Sequence, residues 1–215
     1  MVIVRGQDGC AYRRSVQVFF VNERAQFLLC QPAGTSNVKF RQTVQGGSEG
    51  DESPQKTAQR ETWEEIGVDL DKDATFLCEV HPSAAVSGEH GQAEDVRNEK
   101  NEIVSERRKE FRYKSKTWRK LGISGQELYP LLYLLKSEKL RHVDTLGSKR
   151  GVRTEFWSVA WGSLADLAEK APPRKRAVMR SVCNAVAAAA MPLLELRGYP
   201  TSGSTNLISR AQTAV

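Results

Sequence analysis

The chain is poor in the residues that most often bind zinc or form disulfide frameworks. Its 215 residues include three histidines and four cysteines. The histidines are scattered, and no two cysteines have the short spacing of a zinc site. Cys30 and Cys78 fall in apolar, strand-like segments. We therefore expect buried, reduced thiols and an intracellular, reducing compartment, either the cytoplasm or an organelle matrix such as the mitochondrial one.

Long apolar runs are also lacking. The apolar stretch at residues 185–194 is shorter than a membrane span and contains Pro192, so we expect no contact with a membrane. The first residues, MVIVRGQDG, lack the basic region and apolar core that mark a secretory signal. The chain length predicts one domain, residues 1–197, and a loose tail, residues 198–215, without apolar periodicity.

Acidic residues are outnumbered, with 26 Asp and Glu against 32 Lys and Arg, which gives a formal net charge of +6 at pH 7. The stretch from Glu94 to Lys120 holds ten basic and six acidic residues. It belongs to a predicted insertion, about residues 83–121, which we expect to be partly disordered and helical around residues 101–111. An excess of positive charge suits a polyanionic substrate or partner. The insertion and the tail also offer places for protein partners.

Apolar segments along the chain predict a mixture of strands and helices. Strands are expected at residues 15–21, 26–31, 39–44, 75–80, 127–136 and 154–160, with the first two as a hairpin. Helices are expected after Ser53 and at residues 163–170 and 174–197. Pro130 should lie at a sheet edge or a bulge, and Pro192 should bend or break the last helix. Mixed strands with helices on both sides indicate an α/β fold, an α/β/α sandwich with a mixed sheet.

The most informative segment is residues 46–68, GGSEGDESPQKTAQRETWEEIGV. In a helix, Glu61, Glu64 and Glu65 are at positions i, i+3 and i+4, so their carboxylates lie on one side of one turn. Carboxylates this close repel one another unless a cation holds them together. Hard oxygen ligands near water suit Mg²⁺ or Mn²⁺. Arg60 can pair with one of the carboxylates and fix its direction.

Local signals define the two ends of this helix. Ser53 can cap the first turn, Pro54 suits that turn, and Gly67 can adopt the left-handed conformation that ends the helix. The residues expected to pack against the sheet have fourfold spacing, and they are Ala58, Thr62 and Ile66. We expect the Thr62 hydroxyl to bond back to a helix carbonyl.

The segment resembles the Nudix box, the signature G-x5-E-x7-R-E-U-x-E-E-x-G-U, in which U is a bulky aliphatic residue. The matching residues are Gly46, Glu52, Arg60, Glu61, Glu64, Glu65, Gly67 and Val68. Thr62 stands where the family usually has an aliphatic residue. The resemblance implies a Nudix fold and hydrolysis of nucleoside diphosphates linked to another group, with Mg²⁺ or Mn²⁺ as the cofactor. It also implies that Glu52 and Arg60 brace the loop and the helix.

Features outside the box are similar to one branch of the family, the RNA 5′ pyrophosphohydrolases and the related dinucleoside polyphosphate hydrolases. The similar segments follow the branch's order along the chain, at residues 11–16, 42–47, 111–113, 125–126, 131–132, 155–156 and 174–180. The chain also departs from that branch. Val44 replaces a usual proline, Arg41 stands where an aromatic residue is common, and the charged insertion is longer than usual.

The resemblance implies catalytic and metal-binding roles for four carboxylates. Glu64 and Glu65 are the first expected ligands. Glu61 is a further ligand that can also take the proton of the attacking water. Glu155, in a late Glu-Phe pair, is the candidate for the fourth acidic group; the alternative is an ordinary glutamate at a strand end.

Two glycines and an arginine are expected beside the metal or the phosphate chain. Gly46 and Gly47 would let the backbone approach closely, with Gly46 as a metal contact, although a tight turn would need the same residues. Arg13 is placed to bind phosphate at the mouth of the site. An exposed arginine beside a strand without a ligand is the alternative.

Three further residues are candidates for contacts with the rest of the substrate. Tyr113 could stack on a terminal base, as single-stranded RNA readers do, or could pack in the core. Arg174 and Lys175 could hold an RNA backbone, or could form the solvated start of a helix.

Three functions fit these features. The first is Mg²⁺-dependent conversion of an RNA 5′-triphosphate to a 5′-monophosphate, which changes RNA stability. The second is hydrolysis of diadenosine polyphosphates, which needs no extended basic surface. The third is an RNA-binding or scaffold subunit of an RNA-processing complex. The net positive charge favours RNA, and the complete acidic set favours an enzyme.

Overall fold

A computed structural model describes residues 1–82, 96–97, 103–104 and 108–201. The predicted tail beyond Thr201 and much of the predicted insertion lie outside the described residues. Structure is described again from Arg108, and β-strand pairing resumes at Arg112.

Ten strands form one mixed sheet in the described part of the chain. They are β1 (Ile3–Arg5), β2 (Ala11–Val21), β3 (Phe27–Pro32), β4 (Val44–Gly47), β5 (Thr75–Glu79), β6 (Val96–Arg97), β7 (Ile103–Val104), β8 (Arg112–Lys114), β9 (Ile123–Leu134) and β10 (Phe156–Gly162). The two longest, β2 and β9, pair in parallel from one end to the other. Nearly all of their residues are buried, so they form the centre of the sheet.

The other strands add to the two outer edges of this central pair. β1, β4 and β3 pair in turn with β2, and β8 and β5 pair with β9. β10 extends the sheet beyond β3, and β7 and β6 extend it beyond β1. This topology brings β4 to the middle of β2 and β8 to the first half of β9.

Pro130 lies in the middle of β9, and the expectation of a sheet edge or a bulge is wrong. Gln17 of β2 lies beside it on one side. On the other side, pairing with β8 stops at Glu127 and pairing with β5 starts at Leu131. The Pro130 carbonyl accepts a hydrogen bond from the Val80 N–H at 2.9 Å across this gap. Because the missing N–H of proline falls between two partner strands, a central strand can accommodate it.

Helices cover both faces of the sheet, as the sequence predicts. They are α1 (Pro54–Ile66), α2 (Leu70–Asp73), α3 (Leu164–Glu169) and α4 (Arg176–Glu195). Successive residues of a strand point to opposite faces. Phe19 therefore packs in the cluster with α3 and α4, whereas Val18 and Phe20 pack in the cluster with α1 and α2. The two clusters define three layers and confirm the α/β/α sandwich.

The last helix differs from expectation in two ways. It follows a 3-10 turn, Pro173–Lys175, and it continues through Pro192 without a break. Over Pro173–Glu195 it is also long and apolar enough to cross a membrane, with a mean hydropathy of 1.5, although no such segment was expected. Half of that apolar window is buried inside the protein. The core helix of a globular domain has the same properties.

The predicted strand at residues 39–44 is wrong. β4 begins at Val44, and Gln42 makes an isolated bridge to Cys30. The pairing with β2 falls on the two glycines of β4 instead, since Gly46 lies opposite Val16 and Gly47 opposite Ser15.

The predicted helix around residues 101–111 is also wrong where the chain is described. Ile103–Val104 forms β7 beside β1, and Lys109–Phe111 makes one 3-10 turn. The Ile103 and Phe111 side chains are buried. Their burial against the sheet decides the local structure, because tertiary packing outweighs a weak helical pattern.

The ends of α1 are as predicted. The Ser53 hydroxyl accepts a hydrogen bond from the Lys56 N–H, and Gly67 is left-handed with φ of 67°. Ala58, Thr62 and Ile66 are fully buried. The expected hydrogen bond from the Thr62 hydroxyl to a helix carbonyl is not formed. The Thr62 Oγ1 is buried and has no hydrogen-bond partner among the described residues.

We predict that Thr62→Val leaves the free energy of unfolding unchanged or raises it by about 1 kcal/mol, because it removes an unsatisfied buried hydroxyl without changing the shape of the side chain. Urea unfolding at equilibrium measures the change. Thr57→Val is the matched control on the same helix. The Thr57 hydroxyl, equally buried, donates to Ser48, Glu52 or Ser53, so its loss should cost about 1–3 kcal/mol. Equal losses would show that Thr62 has a partner.

Candidate active site

Arg60 lies among the carboxylates of α1 and of the preceding loop. Its Nε donates to Glu52 at 2.8 Å, and its Nη1 donates to Glu61 at 2.8 Å and to Glu64 at 3.5 Å. Its Nη2 donates to the Gly47 carbonyl at 3.0 Å. The hydrogen bond from Arg60 lowers the pKa of Glu52 to about 2. Arg60 thus ties the helix to the glycine strand β4 and holds two of the predicted metal ligands.

Glu65 is the most buried of the candidate ligands, with 7% of its surface exposed. It accepts a hydrogen bond from the Gln45 N–H at 3.3 Å. Burial raises the pKa of Glu65 well above its ordinary value, and the charges of Glu61, Glu155 and Glu64 raise it further. Glu155, an exposed residue 90 positions further along the chain, is thus close enough for its charge to act on Glu65.

Gly46 leaves the space that the Glu61 carboxylate fills. A Cβ on Gly46 would lie 1.7 Å from the carboxyl carbon of Glu61. Burial also raises the pKa of Glu61, and Arg60 opposes this shift. The Gly46 carbonyl itself accepts a hydrogen bond from the Ser15 hydroxyl at 3.1 Å. Any side chain at position 46 would displace Glu61.

The carboxylates fit a divalent cation by their chemistry. The charges of Glu61, Glu155 and Glu64 all act on Glu65, and they add to the larger effect of burial in raising its pKa. Within the described residues, no three acidic, histidine or cysteine side chains converge on one point as a ready-made ligand cage. Water and phosphate oxygens complete the coordination of Mg²⁺ where a protein supplies one or two carboxylates, so such a cage is not required.

Arg13 occupies the other side of the glycine strand. A Cβ on Gly47 would lie 1.9–2.1 Å from the Arg13 guanidinium, which therefore rests directly on the backbone. The Arg13 Cζ lies 5.3 Å from the centre of the Trp118 ring, a cation–π contact. Its Nε is buried and makes no hydrogen bond within the described residues.

Tyr113 and Lys175 lie together beside Gln45. The Lys175 Nζ is 5.3 Å from the centre of the Tyr113 ring and donates to the Gln45 side-chain oxygen at 3.5 Å. The Tyr113 hydroxyl donates to Gln126, which also accepts from the Gln45 side chain at 3.0 Å. Burial lowers the pKa of Lys175. Lys175 forms no ion pair with the described residues, so its charge has no carboxylate partner there.

Arg174 is not brought to the site in the same way. It is exposed, and no contact joins it to Tyr113 or Gln45. Gln45 and Gln126 were not predicted as site residues, although both belong to segments that resemble the family, Q-G-G and G-Q. Their side chains meet because β4 and β9 both flank β2.

Arg150 fastens the loop before Glu155 to the end of α1. Its Nε and Nη2 lie 3.4 and 3.3 Å from the Glu64 carbonyl, and Nη2 donates to the Asp144 carbonyl at 2.7 Å. The Asp144 N–H in turn donates to the Ile66 carbonyl at 2.9 Å. No sequence signal identified Arg150, because its partners are up to 86 residues away. Positive charge at the C-terminal end of a helix is also favourable.

The chain belongs to the Nudix family. The NUDIX domain profile matches residues 11–182, most of the chain. Nudix hydrolases generally use divalent metal ions. Over 44 residues the chain is 46% identical to the dihydroneopterin triphosphate diphosphatase of Haemophilus influenzae. That match covers 20% of this chain and 28% of the relative, so the chain spans less than a third of that protein.

Solved structures with a similar shape are distant in sequence. The dihydroneopterin triphosphate pyrophosphohydrolase of E. coli is 16% identical with a TM-score of 0.46, and the match covers 81% of this chain and 99% of that one. The Ap4A hydrolase of C. elegans, in a binary complex, is 14% identical with a TM-score of 0.48, and the match covers 82% and 98%.

We predict that Gly46→Ala lowers kcat for phosphoanhydride hydrolysis by about 100-fold, because a misplacement of about 1 Å at a catalytic group has that effect. Steady-state kinetics measure the loss. Gly50→Ala is the control, since Gly50 has a positive φ and open space around its α-carbon. This variant should lose some stability and keep its turnover. If both variants lost activity in proportion to stability, the contact between Gly46 and Glu61 would have no role.

We predict that Arg150→Met lowers kcat by roughly 10- to 100-fold through a shift of the loop that carries Glu155. Arg150→Lys should restore part of the rate. In a protein that already carries Glu155→Gln, Arg150→Met should lower kcat little further, because the effects of coupled residues are not additive. Kinetics of the four proteins in this cycle, with their unfolding midpoints, test the coupling. If the fold-losses in kcat of the two single variants multiplied in the double variant, Arg150 would act on something other than Glu155.

Proposed function

We propose that this protein is a divalent-metal-dependent hydrolase that cleaves a phosphoanhydride at an RNA 5′ end. It converts a 5′-triphosphate to a 5′-monophosphate and so changes RNA stability. The observation that carries the proposal is the division of the site by β4. Acidic groups lie beside Gly46, and two half-buried cations, Arg13 and Lys175, lie beside Gly47 and Gln45.

The acidic side is the place for Mg²⁺ or Mn²⁺. Glu61, Glu64, Glu65 and Glu155 would hold the ions, and the Gly46 backbone is close enough to assist. When bound, the ions neutralise phosphate charge and favour in-line attack by water at phosphorus. A carboxylate of this cluster accepts the proton of that water, and Glu61 is our candidate. Arg60 keeps Glu61 and Glu64 in place meanwhile.

The basic side is the place for the rest of the phosphate chain. Arg13 places its guanidinium against the Gly47 backbone, and Lys175 offers a desolvated ammonium. A phosphate group that binds between them would interact with both positive charges. The Tyr113 ring is partly buried against the apolar core and lies under Lys175, and its exposed part would stack on the first base.

The net charge of +6 favours an RNA over a dinucleotide, because a long anion profits from an extended positive surface. A specific observation keeps a second candidate, diadenosine polyphosphate hydrolysis. Two aromatic rings, Tyr113 and Trp118, lie on the two cations of the basic side, as the two bases of a dinucleotide would require. The local similarity to dihydroneopterin triphosphate diphosphatase adds a third triphosphate to test. A pure RNA-binding or scaffold subunit would not need the carboxylate set.

The test is product analysis with Mg²⁺ and with Mn²⁺ on three substrates side by side: a 5′-triphosphorylated RNA oligonucleotide, diadenosine tetraphosphate and dihydroneopterin triphosphate. We expect 5′-monophosphate RNA as the preferred product. Glu64→Gln should remove most turnover, by 100-fold or more as a rough estimate for lost transition-state charge stabilisation, and should retain RNA binding. Glu138→Gln, an exposed glutamate after β9, is the control that should remain active.

Preference for diadenosine tetraphosphate would instead assign the protein a function in the removal of dinucleotides. Turnover of none of the three, with RNA binding retained, would favour the scaffold subunit. Full activity of Glu64→Gln would contradict the metal site itself.

A further inference from the structure

The loop that joins β8 to β9 carries a concentration of exposed positive charge that the proposed site does not use. Lys114, Lys116, Arg119 and Lys120 are exposed, and residues 111–126 contain no aspartate or glutamate. None of the four forms an ion pair with another described residue. We call residues 114–122 the basic hairpin.

The basic hairpin has a defined backbone. The Ser115 N–H donates to the Ser124 carbonyl at 3.0 Å, and the Leu121 N–H donates to the Trp118 carbonyl at 2.9 Å. At its base, the buried Arg112 and Glu127 side chains form an ion pair at 2.6 Å between the paired strands. The four cations therefore stand on an ordered support. A partner that binds them does not have to order this loop first.

The basic hairpin is continuous with the proposed phosphate site. Trp118, in the middle of the hairpin, packs on Arg13 at 5.3 Å. Tyr113, immediately before the hairpin, lies beneath Lys175 at 5.3 Å. A chain of anionic groups that starts between Arg13 and Lys175 thus meets the hairpin cations next.

We propose that the basic hairpin binds the sugar–phosphate backbone of single-stranded RNA downstream of the reacting 5′ end. This inference rests on the proposed function and names the part of the substrate that distinguishes RNA from small nucleotides. Cations interleaved with an aromatic ring are the composition of surfaces that track a single strand. A dinucleoside polyphosphate is too short to reach the hairpin cations from the reacting phosphate. The partly exposed Trp118 also gives an unpaired base a surface on which to stack.

The test is the binding of a 12-nucleotide, 5′-triphosphorylated RNA with a 3′ fluorophore, measured by fluorescence anisotropy at several salt concentrations. The Glu64→Gln background prevents turnover. The triple variant Lys116→Ala, Arg119→Ala, Lys120→Ala should bind about 10- to 100-fold more weakly at low salt. Its plot of log affinity against log salt should be shallower by about 2, since each lost phosphate contact removes about 0.7.

The matched control removes the same charge at the other end of the central strands. Arg24, Lys136 and Arg141 are exposed and lie after the ends of β2 and β9, opposite the end that carries the hairpin. The triple alanine variant of these residues should keep the wild-type affinity and salt slope. Equal weakening by both triple variants would overturn the inference, because net charge alone would explain it.

The same variants separate this inference from the proposed function. In one outcome, the wild-type protein hydrolyses only dinucleotides while its RNA affinity still depends on the hairpin. That result would overturn the proposed RNA 5′ activity and support the hairpin as an RNA-binding surface. Hydrolysis of long RNA with an unchanged KM in the hairpin variant would overturn the hairpin and support the proposed function. Binding of phosphatidylserine vesicles that depends on the hairpin, without a change in RNA affinity, would also overturn the inference.

Discussion

Two charged side chains rest directly on the bare backbone of Gly46 and Gly47, and the organisation of the site depends on this contact. Glu61 fills the space where a side chain at position 46 would be, and Arg13 fills the space at position 47. Opposite charges are thereby held on either side of one short strand. Neither could approach so closely past a Cβ atom. Ordinary side chains at these two positions would hold the acidic and the basic groups further apart.

Several contacts from distant parts of the chain keep this strand in register with α1. Arg60 joins the helix to the Gly47 carbonyl, and Glu65 accepts the N–H of Gln45. The Gln45 side chain continues the connection to Gln126 and Lys175, which come from the central strand β9 and from the turn before α4. The site therefore lies where both helical layers meet the sheet. The acidic side comes mainly from one layer and Lys175 from the other.

Sequence reasoning succeeded where a feature is local. The ends of α1 and its buried face follow from residues within one helix, and the structure shows them as predicted. Sequence reasoning failed where pairing with a strand that is distant in sequence decides the local structure. Pro130 was assigned to an edge because nothing nearby indicates that two different strands meet beside it. Residues 103–104 were assigned to a helix, although they pair with β1.

The site was predictable in its acidic half and much less so in its basic half. The carboxylates follow a fixed spacing in one segment, whereas Trp118 and Arg150 act through side chains far away in sequence. Lys175 lies beside Gln45, whereas its neighbour Arg174 is exposed and makes no contact with Gln45. Neighbouring residues at the start of a helix face different surroundings. Only the packing of α4 decides whether Arg174 or Lys175 faces the protein.

The central claim is that β4 separates a metal-binding side from a phosphate-binding side. The most direct measurement is anomalous diffraction at the manganese edge from crystals grown with Mn²⁺ and a non-hydrolysable nucleoside triphosphate. We expect manganese peaks at Glu61, Glu64 and Glu65, with the phosphate chain reaching from them across Gly46 and Gly47 to Arg13 and Lys175. Manganese away from these glutamates, or a phosphate chain that contacts neither cation, would contradict the account.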